Sequence, residues 1–221
     1  MIPMISASIL NGDLAHLAEV AELVRRAGAD ALHYDVMDGC FVDNLSFGLP
    51  VLETLRRCTP MPIDVHLMIA QPHRFAERFV KAGADLLSFH IESDTDPAET
   101  LRIIHSLGIP AGIAVSPETP AEAVLPYLPQ MQKDDFILVM TVRPGLGGQA
   151  FMPETVPKIR TLRRIMTEQQ LPLHIEVDGG INAETAAICR EAGADYLVAG
   201  SYLLGADDPA AAVQSLGKIT D

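Results

Sequence analysis

The sequence predicts a single (β/α)8 barrel, a TIM barrel, spanning residues 1–221. Three observations predict it: a tetrapeptide repeated at multiples of 55 residues, eight short apolar runs, and polar residues of matching chemistry at the ends of those runs. The repeat is Ala27-Gly28-Ala29-Asp30, Ala82-Gly83-Ala84-Asp85 and Ala192-Gly193-Ala194-Asp195, with glycines 55 and then 110 residues apart. Each copy follows a helical pattern and precedes an apolar run. A glycine after a helix is the usual left-handed terminator, and an unbroken apolar run behind it is a strand buried on both faces. If 55 residues hold two strand-helix units, the chain holds about eight, the count of a closed barrel.

The eight strands are expected at Met4 to Ile9, Ala31 to Met37, Ile63 to Met68, Leu86 to Ile91, Ala111 to Val115, Phe136 to Val142, His174 to Val177 and Tyr196 to Ala199. Between the first two, Leu14 to Ala27 carries apolar residues at Leu14, Leu17, Ala21 and Val24, the spacing of an amphipathic helix. Thr155 to Glu168 does the same with Ile159, Leu162 and Ile165. The Pro-rich stretch from Ile109 to Pro129 leaves room for only a short helix. No linker or low-complexity segment interrupts the pattern.

Composition narrows the function. A formal net charge of -13 argues against nucleic acid or an anionic membrane surface as partner, because phosphate backbones need clustered Lys and Arg. No uncharged apolar stretch is long enough to span a bilayer. Met1-Ile2-Pro3-Met4 runs into the first strand without the basic and apolar regions of a secretion signal, so none is expected. Cys40, Cys58 and Cys189 are odd in number and form no Cys-x-x-Cys pair, so no disulfide framework is expected and a reducing cytoplasm fits.

Four residues with metal-ligand chemistry stand at strand ends: His33 and Asp35, His66, and Asp178 before Gly179-Gly180. His33 and Asp35 are two apart, so both leave one face of a strand. His66 with Met68, and Glu176 with Asp178, share parity in the same way. Five residues past the Asp of each repeat lie Asp35, His90 and Gly200, at the strand ends where barrels of this class place their active sites. Two imidazoles and two carboxylates suit a divalent cation, zinc, iron(II), manganese or cobalt rather than magnesium or calcium. The plainer alternative is that buried His and Asp satisfy one another.

Glycine-rich loops follow the last three strands: Pro144-Gly145-Leu146-Gly147-Gly148-Gln149, Gly179-Gly180 and Gly200-Ser201. Glycine lets backbone N–H groups approach an anion closely, and this position in a barrel suits phosphate, although tight turns need glycine too. The loop after the sixth strand has glycine enough to move as a lid.

His33-Tyr34-Asp35-Val36-Met37-Asp38-Gly39, Asp64-Val65-His66-Leu67-Met68, Met140-Thr141-Val142-Arg143-Pro144-Gly145-Leu146-Gly147-Gly148-Gln149 and Val177-Asp178-Gly179-Gly180-Ile181 together resemble the ribulose-phosphate 3-epimerase family, from Ser6 to Ser201. The resemblance implies a divalent metal on His33, Asp35, His66 and Asp178. It implies substrate contacts at Ser8, His66, Gly145, Leu146, Gly147, Gly148, Asp178, Gly179, Gly180, Gly200 and Ser201. It also implies Asp35 and Asp178 as acid-base pair, and a homo-oligomer. The substrate it implies is a small phosphorylated ketose, D-ribulose 5-phosphate first and a six-carbon relative such as D-allulose 6-phosphate second.

The chemistry agrees independently. Inverting a carbon beside a ketone needs a base on each face of the substrate, and Asp35 and Asp178 sit on different strands. Met37, Met68 and Met140 fall on inward faces near the rim, where they either cover the substrate or simply fill space. His90 and Glu92 share a face at the end of the fourth strand, either supporting a loop or the site, or merely solvated. Cys40, Asp43, Ala7 and Arg143 depart from the family's common residues without removing a ligand or base, and leave the sugar open. A lyase of related barrels would carry Asp-x-Lys-x-x-Asp on the third strand, where this chain reads Asp64-Val65-His66 without Lys. A non-catalytic phosphosugar-binding barrel is the remaining alternative.

Overall fold

The eight apolar runs pair in parallel, each with its sequence neighbour, and β8 returns to β1 to close the sheet. The structure is a computed structural model that describes residues 2–217; residues 1 and 218–221 of the expected domain lie outside the described residues. The strands are β1 (Met4–Ser8), β2 (Ala31–Met37), β3 (Ile63–Met68), β4 (Leu86–His90), β5 (Ala111–Val115), β6 (Phe136–Met140), β7 (His174–Asp178) and β8 (Tyr196–Ala199). Around them run α1 (Leu17–Ala27), α2 (Leu49–Cys58), α3 (Ala76–Ala82), α4 (Pro97–Ser106), α5 (Val156–Glu168), α6 (Ala183–Ala192), α7 (Ser201–Leu204) and α8 (Pro209–Ser215). This is the expected (β/α)8 barrel. No helix of the described residues is long and apolar enough to cross a membrane.

The differences from the sequence pattern are local. The Pro-rich segment between β5 and β6 forms two 3-10 turns, Ala121–Val124 and Leu128–Gln130, because repeated prolines remove the N–H groups that a longer helix needs. Leu14 to His16 is likewise a 3-10 turn ahead of α1, capped by the Asp13 carboxylate on the Ala15 N–H. Strands β1, β4 and β6 stop one or two residues before their apolar runs do; Ile9 is fully buried but lies past the end of the β1 ladder.

The repeated tetrapeptide does more than end helices. Gly28, Gly83 and Gly193 cap α1, α3 and α6 at φ values of 93°, 118° and 112°. The aspartate two residues on then clamps the start of an earlier strand from both sides. Asp30 accepts the Ile5 N–H on its carboxylate at 2.8 Å and donates its own N–H to Ile5 O at 2.8 Å. Asp85 does the same to Ile63, and Asp195 to Ile175. These clamps hold the end of the barrel opposite the site, where structure serves stability rather than chemistry.

Most of the core lies between the strands and the helical ring, including Leu32, Tyr34, Leu67 and Phe89, all fully buried. Inside the barrel the filling is split. Phe136, Leu138 and Met140 of β6, with Ala114 of β5, form an apolar plug, and the Phe136 ring lies where a side chain on Gly112 would stand. The opposite half is polar: Ser6 and Ser8, His33 and Asp35, Asp64 and His66, Ser88 and His90, Glu176 and Asp178 are pairs two residues apart that share an inward face. Such burial of charge is costly unless each group finds a partner or a bound ion.

Candidate active site

Strand register sets the polar residues side by side. Ser8 aligns with His33, Asp35 with His66, and His66 with Ser88. At the rim they meet a cavity of about 460 Å³. Its walls include Ser8, Asp35, Asp178, the three expected methionines, the loop Arg143 to Gln149, Gly179-Gly180 and Gly200-Ser201. His33 and His66 do not line it; both are fully buried.

Asp35 is the hub. Its Oδ1 lies 3.3 Å from His33 Nε2 and 3.5 Å from His66 Nδ1, and its Oδ2 accepts the Ser8 hydroxyl at 2.9 Å. Ser46 fixes the backbone there, donating its hydroxyl to Asp35 O at 2.6 Å. Asp178 Oδ2 approaches the same His33 Nε2 at 3.9 Å from β7. His33 is anchored from behind, its Nδ1 2.7 Å from Asp64 Oδ2. His66 Nε2 is 3.0 Å from His90 Nε2, and His90 Nδ1 is 2.9 Å from Glu92. The plain-solvation reading of His90 therefore does not hold: it is fully buried.

The charges sort themselves by these contacts. Burial alone would raise the Asp35 carboxyl, but the His33 and His66 imidazoles outweigh it and hold Asp35 well below the usual carboxylate range. Burial and the Asp35 charge push Asp178 up to about 7. Burial and the Asp64 charge raise Glu176 well above its ordinary value. Burial and the neighbouring imidazole push His90 down to about 4, and burial likewise lowers His66. Of the three buried histidines only His33 is raised, despite its burial, because Asp35 and Asp64 both call for positive charge there.

The donor set fits a cation. His33 Nε2 and His66 Nδ1 are buried nitrogens with no hydrogen-bond partner, and both face Asp35. One ligand atom from each of His33, Asp35, His66 and Asp178 lies within 4.8 Å of the others, a spacing that an ion with bonds of about 2.1 Å spans with slight closure. A second group, His33, Asp64 and Glu176, is equally close, but there the Nδ1 of His33 is already taken by Asp64.

The loop from Arg143 to Gln149 is tied by side-chain contacts within it and to two other loops. Asn44 Nδ2 donates to Gly145 O at 2.9 Å, Gln149 Nε2 donates to Arg143 O and Leu146 O, and Arg143 pairs with Glu118 at 2.7 Å. Two glycines are demanded by close approach. A side chain on Gly147 would meet the Asn11 amide, and one on Gly180, at φ 65°, would meet the Phe151 backbone. Asn11, Asn44 and Phe151 are rim residues that no sequence motif marked; their signal is only that they sit one loop from a glycine.

A model of the ribulose-phosphate 3 epimerase family matches residues 4–204. The chain is similar to the ribulose-phosphate 3-epimerase of Mycobacterium tuberculosis (strain ATCC 25618 / H37Rv), 49% identical over 98% of this chain and 92% of the relative. It is similar to that of Bacillus subtilis (strain 168), 42% identical over 96% of this chain and 97% of the relative. Among solved structures, 3-keto-L-gulonate-6-phosphate decarboxylase from Vibrio cholerae O1 biovar El Tor superposes with a TM-score of 0.71 at 17% identity, covering 98% of this chain and 97% of that one. The 3-hexulose-6-phosphate synthase from Salmonella typhimurium gives 0.66 at 17% identity, covering 98% and 96%. At such identity these two speak to the barrel alone. The family match and the near-full-length relatives go further: this chain belongs to the ribulose-phosphate 3-epimerase family and is an isomerase, an epimerase acting on carbohydrates.

Proposed function

We propose that this enzyme, acting as one barrel domain, interconverts D-ribulose 5-phosphate and D-xylulose 5-phosphate by inverting C3, with Asp35 and Asp178 as its acid-base pair. The observation that carries the reading is the meeting of these two carboxylates, from strands separated by β1 and β8, at one cavity beside two unpartnered imidazole nitrogens. The name of the relatives supports the five-carbon sugar.

The proton on C3 is weakly acidic because the neighbouring carbonyl stabilises the anion left behind. One carboxylate removes it from one face and the other returns a proton to the opposite face, so the pair must flank the carbon. Asp35, held ionised and oriented by Ser8 and Ser46, has the character of a base. Asp178, near 7, holds or releases a proton at neutral pH. The direction of reaction decides which acts first. His33, Asp35, His66 and Asp178 would hold one divalent ion, zinc, iron(II), manganese or cobalt, which supplies Lewis-acid stabilisation of the enediolate charge. Backbone N–H groups of Gly179, Gly180, Gly200 and Ser201 receive the phosphate, and Gly145 to Gly148 close over the sugar and exclude water. Substrate contacts are also assigned to Ser8, on the cavity wall, and to His66 beneath it.

The test is proton-deuterium exchange at C3 of D-ribulose 5-phosphate in heavy water, followed by NMR with metal-loaded and with chelated protein. Metal-dependent exchange with appearance of xylulose 5-phosphate supports every part of the reading. Exchange with D-allulose 6-phosphate alone would move the assignment to a six-carbon sugar, and exchange with neither would leave a phosphosugar-binding barrel.

A further inference from the structure

We propose that Glu92, acting through His90, is a positioning residue that decides which nitrogen of His66 is free to take the cation, an inference that rests on the metal reading above. The three side chains form one line through the interior. Glu92 Oε2 lies 2.9 Å from His90 Nδ1, and His90 Nε2 lies 3.0 Å from His66 Nε2. Beyond them His66 Nδ1, with no hydrogen-bond partner, faces Asp35 Oδ1 at 3.5 Å.

Proton counting along this line leaves a single arrangement. Glu92 is held ionised, down at about 2, where burial opposes and the His90 contact favours the charge. A carboxylate only accepts, so the nitrogen facing it, His90 Nδ1, carries that ring's one proton. His90 Nε2 is then bare and accepts, which requires the proton of His66 to sit on Nε2. The Nδ1 of His66 is left with its lone pair aimed at the ligand cluster. Moving the His66 proton to Nδ1 would set two bare nitrogens against each other at 3.0 Å, with no solvent to relieve them, since His66 and His90 are both fully buried.

Glu92 is suited to this because it is fixed from outside. Its second oxygen accepts the Ser116 N–H at 2.9 Å and the Thr119 hydroxyl, so the loop after β5 holds it against His90. Phe41 packs against the His90 ring with centroids 4.7 Å apart, and the His66 ring meets it edge to edge with centroids 5.0 Å apart. The His33 ring reaches the same end by a shorter route. Asp64 faces its Nδ1, and Nε2 is the free nitrogen. The two ligands therefore present opposite ring nitrogens, each dictated by a carboxylate behind it, the arrangement by which histidine ligands are usually oriented.

The experiment is a long-range 15N–1H NMR assignment of ring protonation in the metal-free wild-type chain, paired with divalent-ion affinity by chelator competition. The expected result is a proton on His66 Nε2 and His90 Nδ1, with His66 Nδ1 bare. Glu92→Ala, at a partly exposed position outside the core, is expected to weaken ion affinity about 10-fold or more. His90→Gln keeps an acceptor amide oxygen opposite His66 and is expected to stay within about threefold of wild type, whereas His90→Leu loses about 10- to 100-fold. A proton on His66 Nδ1 in the wild type, or wild-type ion affinity in Glu92→Ala, overturns the proposal. A wild type that takes up no divalent ion sinks the metal reading instead, and the nitrogen assignment then upholds or overturns the relay by itself.

Discussion

Asp35 and Asp178, carried by strands that are not neighbours, converge on one atom: His33 Nε2 lies 3.3 Å from an oxygen of the first and 3.9 Å from an oxygen of the second. The arrangement gives two carboxyls of the same chemistry different proton affinities, Asp35 far below its ordinary range and Asp178 up at about 7.

That pair is the first target. Asp35→Asn and Asp178→Asn are each expected to lower kcat by about 100- to 10,000-fold, the usual weight of one general acid or base. Steady-state epimerisation with ion content measured on the same samples checks this. Retention of activity within tenfold in either variant would remove that residue from the pair.

The raised Asp178 pKa also makes a stability statement. The folded chain binds this proton more tightly than the unfolded one, about 7 against 3.8. Its contribution is thus fully present below 3.8 and is lost as pH rises to about 7, with a slope of at most about 1.4 kcal/mol per pH unit. His66 and His90, lowered, act in the opposite direction over part of the same window, so the useful quantity is a difference. In chelator, the stability of wild type minus that of Asp178→Asn should fall between those two pH values and be level above them. A difference that is level throughout would mean that Asp178 is ionised in the folded chain.

How much of this is legible in the sequence depends on whether a residue acts where it stands or through a neighbour. The strand ladder, the inward parity of His33 with Asp35, and the glycine loops are periodic or compositional signals, and the strands carry them where expected. The clamp role of Asp30, Asp85 and Asp195 is invisible because the repeat marks the turn, while its partner is a backbone amide of a strand tens of residues earlier. His90 and Glu92 are ambiguous in the sequence for the same reason: two residues apart on one face, they mean little until the register sets β4 against His66. Asn44 reaches across 101 residues to Gly145, a contact that only the closed barrel creates.

Asp64 and Glu176 give a contrast that separates a charge from a shape. Both are fully buried below the cluster, but Asp64 faces His33 Nδ1 at 2.7 Å while Glu176 has only the carboxyl of Asp64 as its charged partner in hydrogen bonding. Asp64→Asn removes the charge that holds His33 and should weaken divalent-ion affinity about 10- to 100-fold. Burial and the Asp64 charge raise Glu176 well above its ordinary value and so favour its uncharged form, which Glu176→Gln matches in size and in lack of charge. Its ion affinity should stay within about threefold of wild type. Chelator competition on both variants is the check, and equal losses would mean that both carboxyls carry charge.

Arg143 tests whether the base of the glycine loop contributes to function. It stands at the start of the glycine loop, lines the cavity, and pairs with Glu118 at 2.7 Å, yet both side chains are more than half exposed, 73% and 57%. An exposed pair contributes little to global stability, so Arg143→Glu should leave the melting temperature within a few degrees. Its effect is local: two carboxylates would face each other across the hinge, and a second negative charge would stand near an anionic substrate. Closure and capture suffer before chemistry does, so KM for the phosphosugar should rise several-fold with kcat changed less. Adding Glu118→Arg restores an opposite pair in reversed order, which should recover the hinge contact but not the lost positive charge at position 143. Partial recovery of KM in the double variant therefore apportions the effect between hinge and field, and unchanged kinetics in Arg143→Glu would reduce the residue to a surface charge.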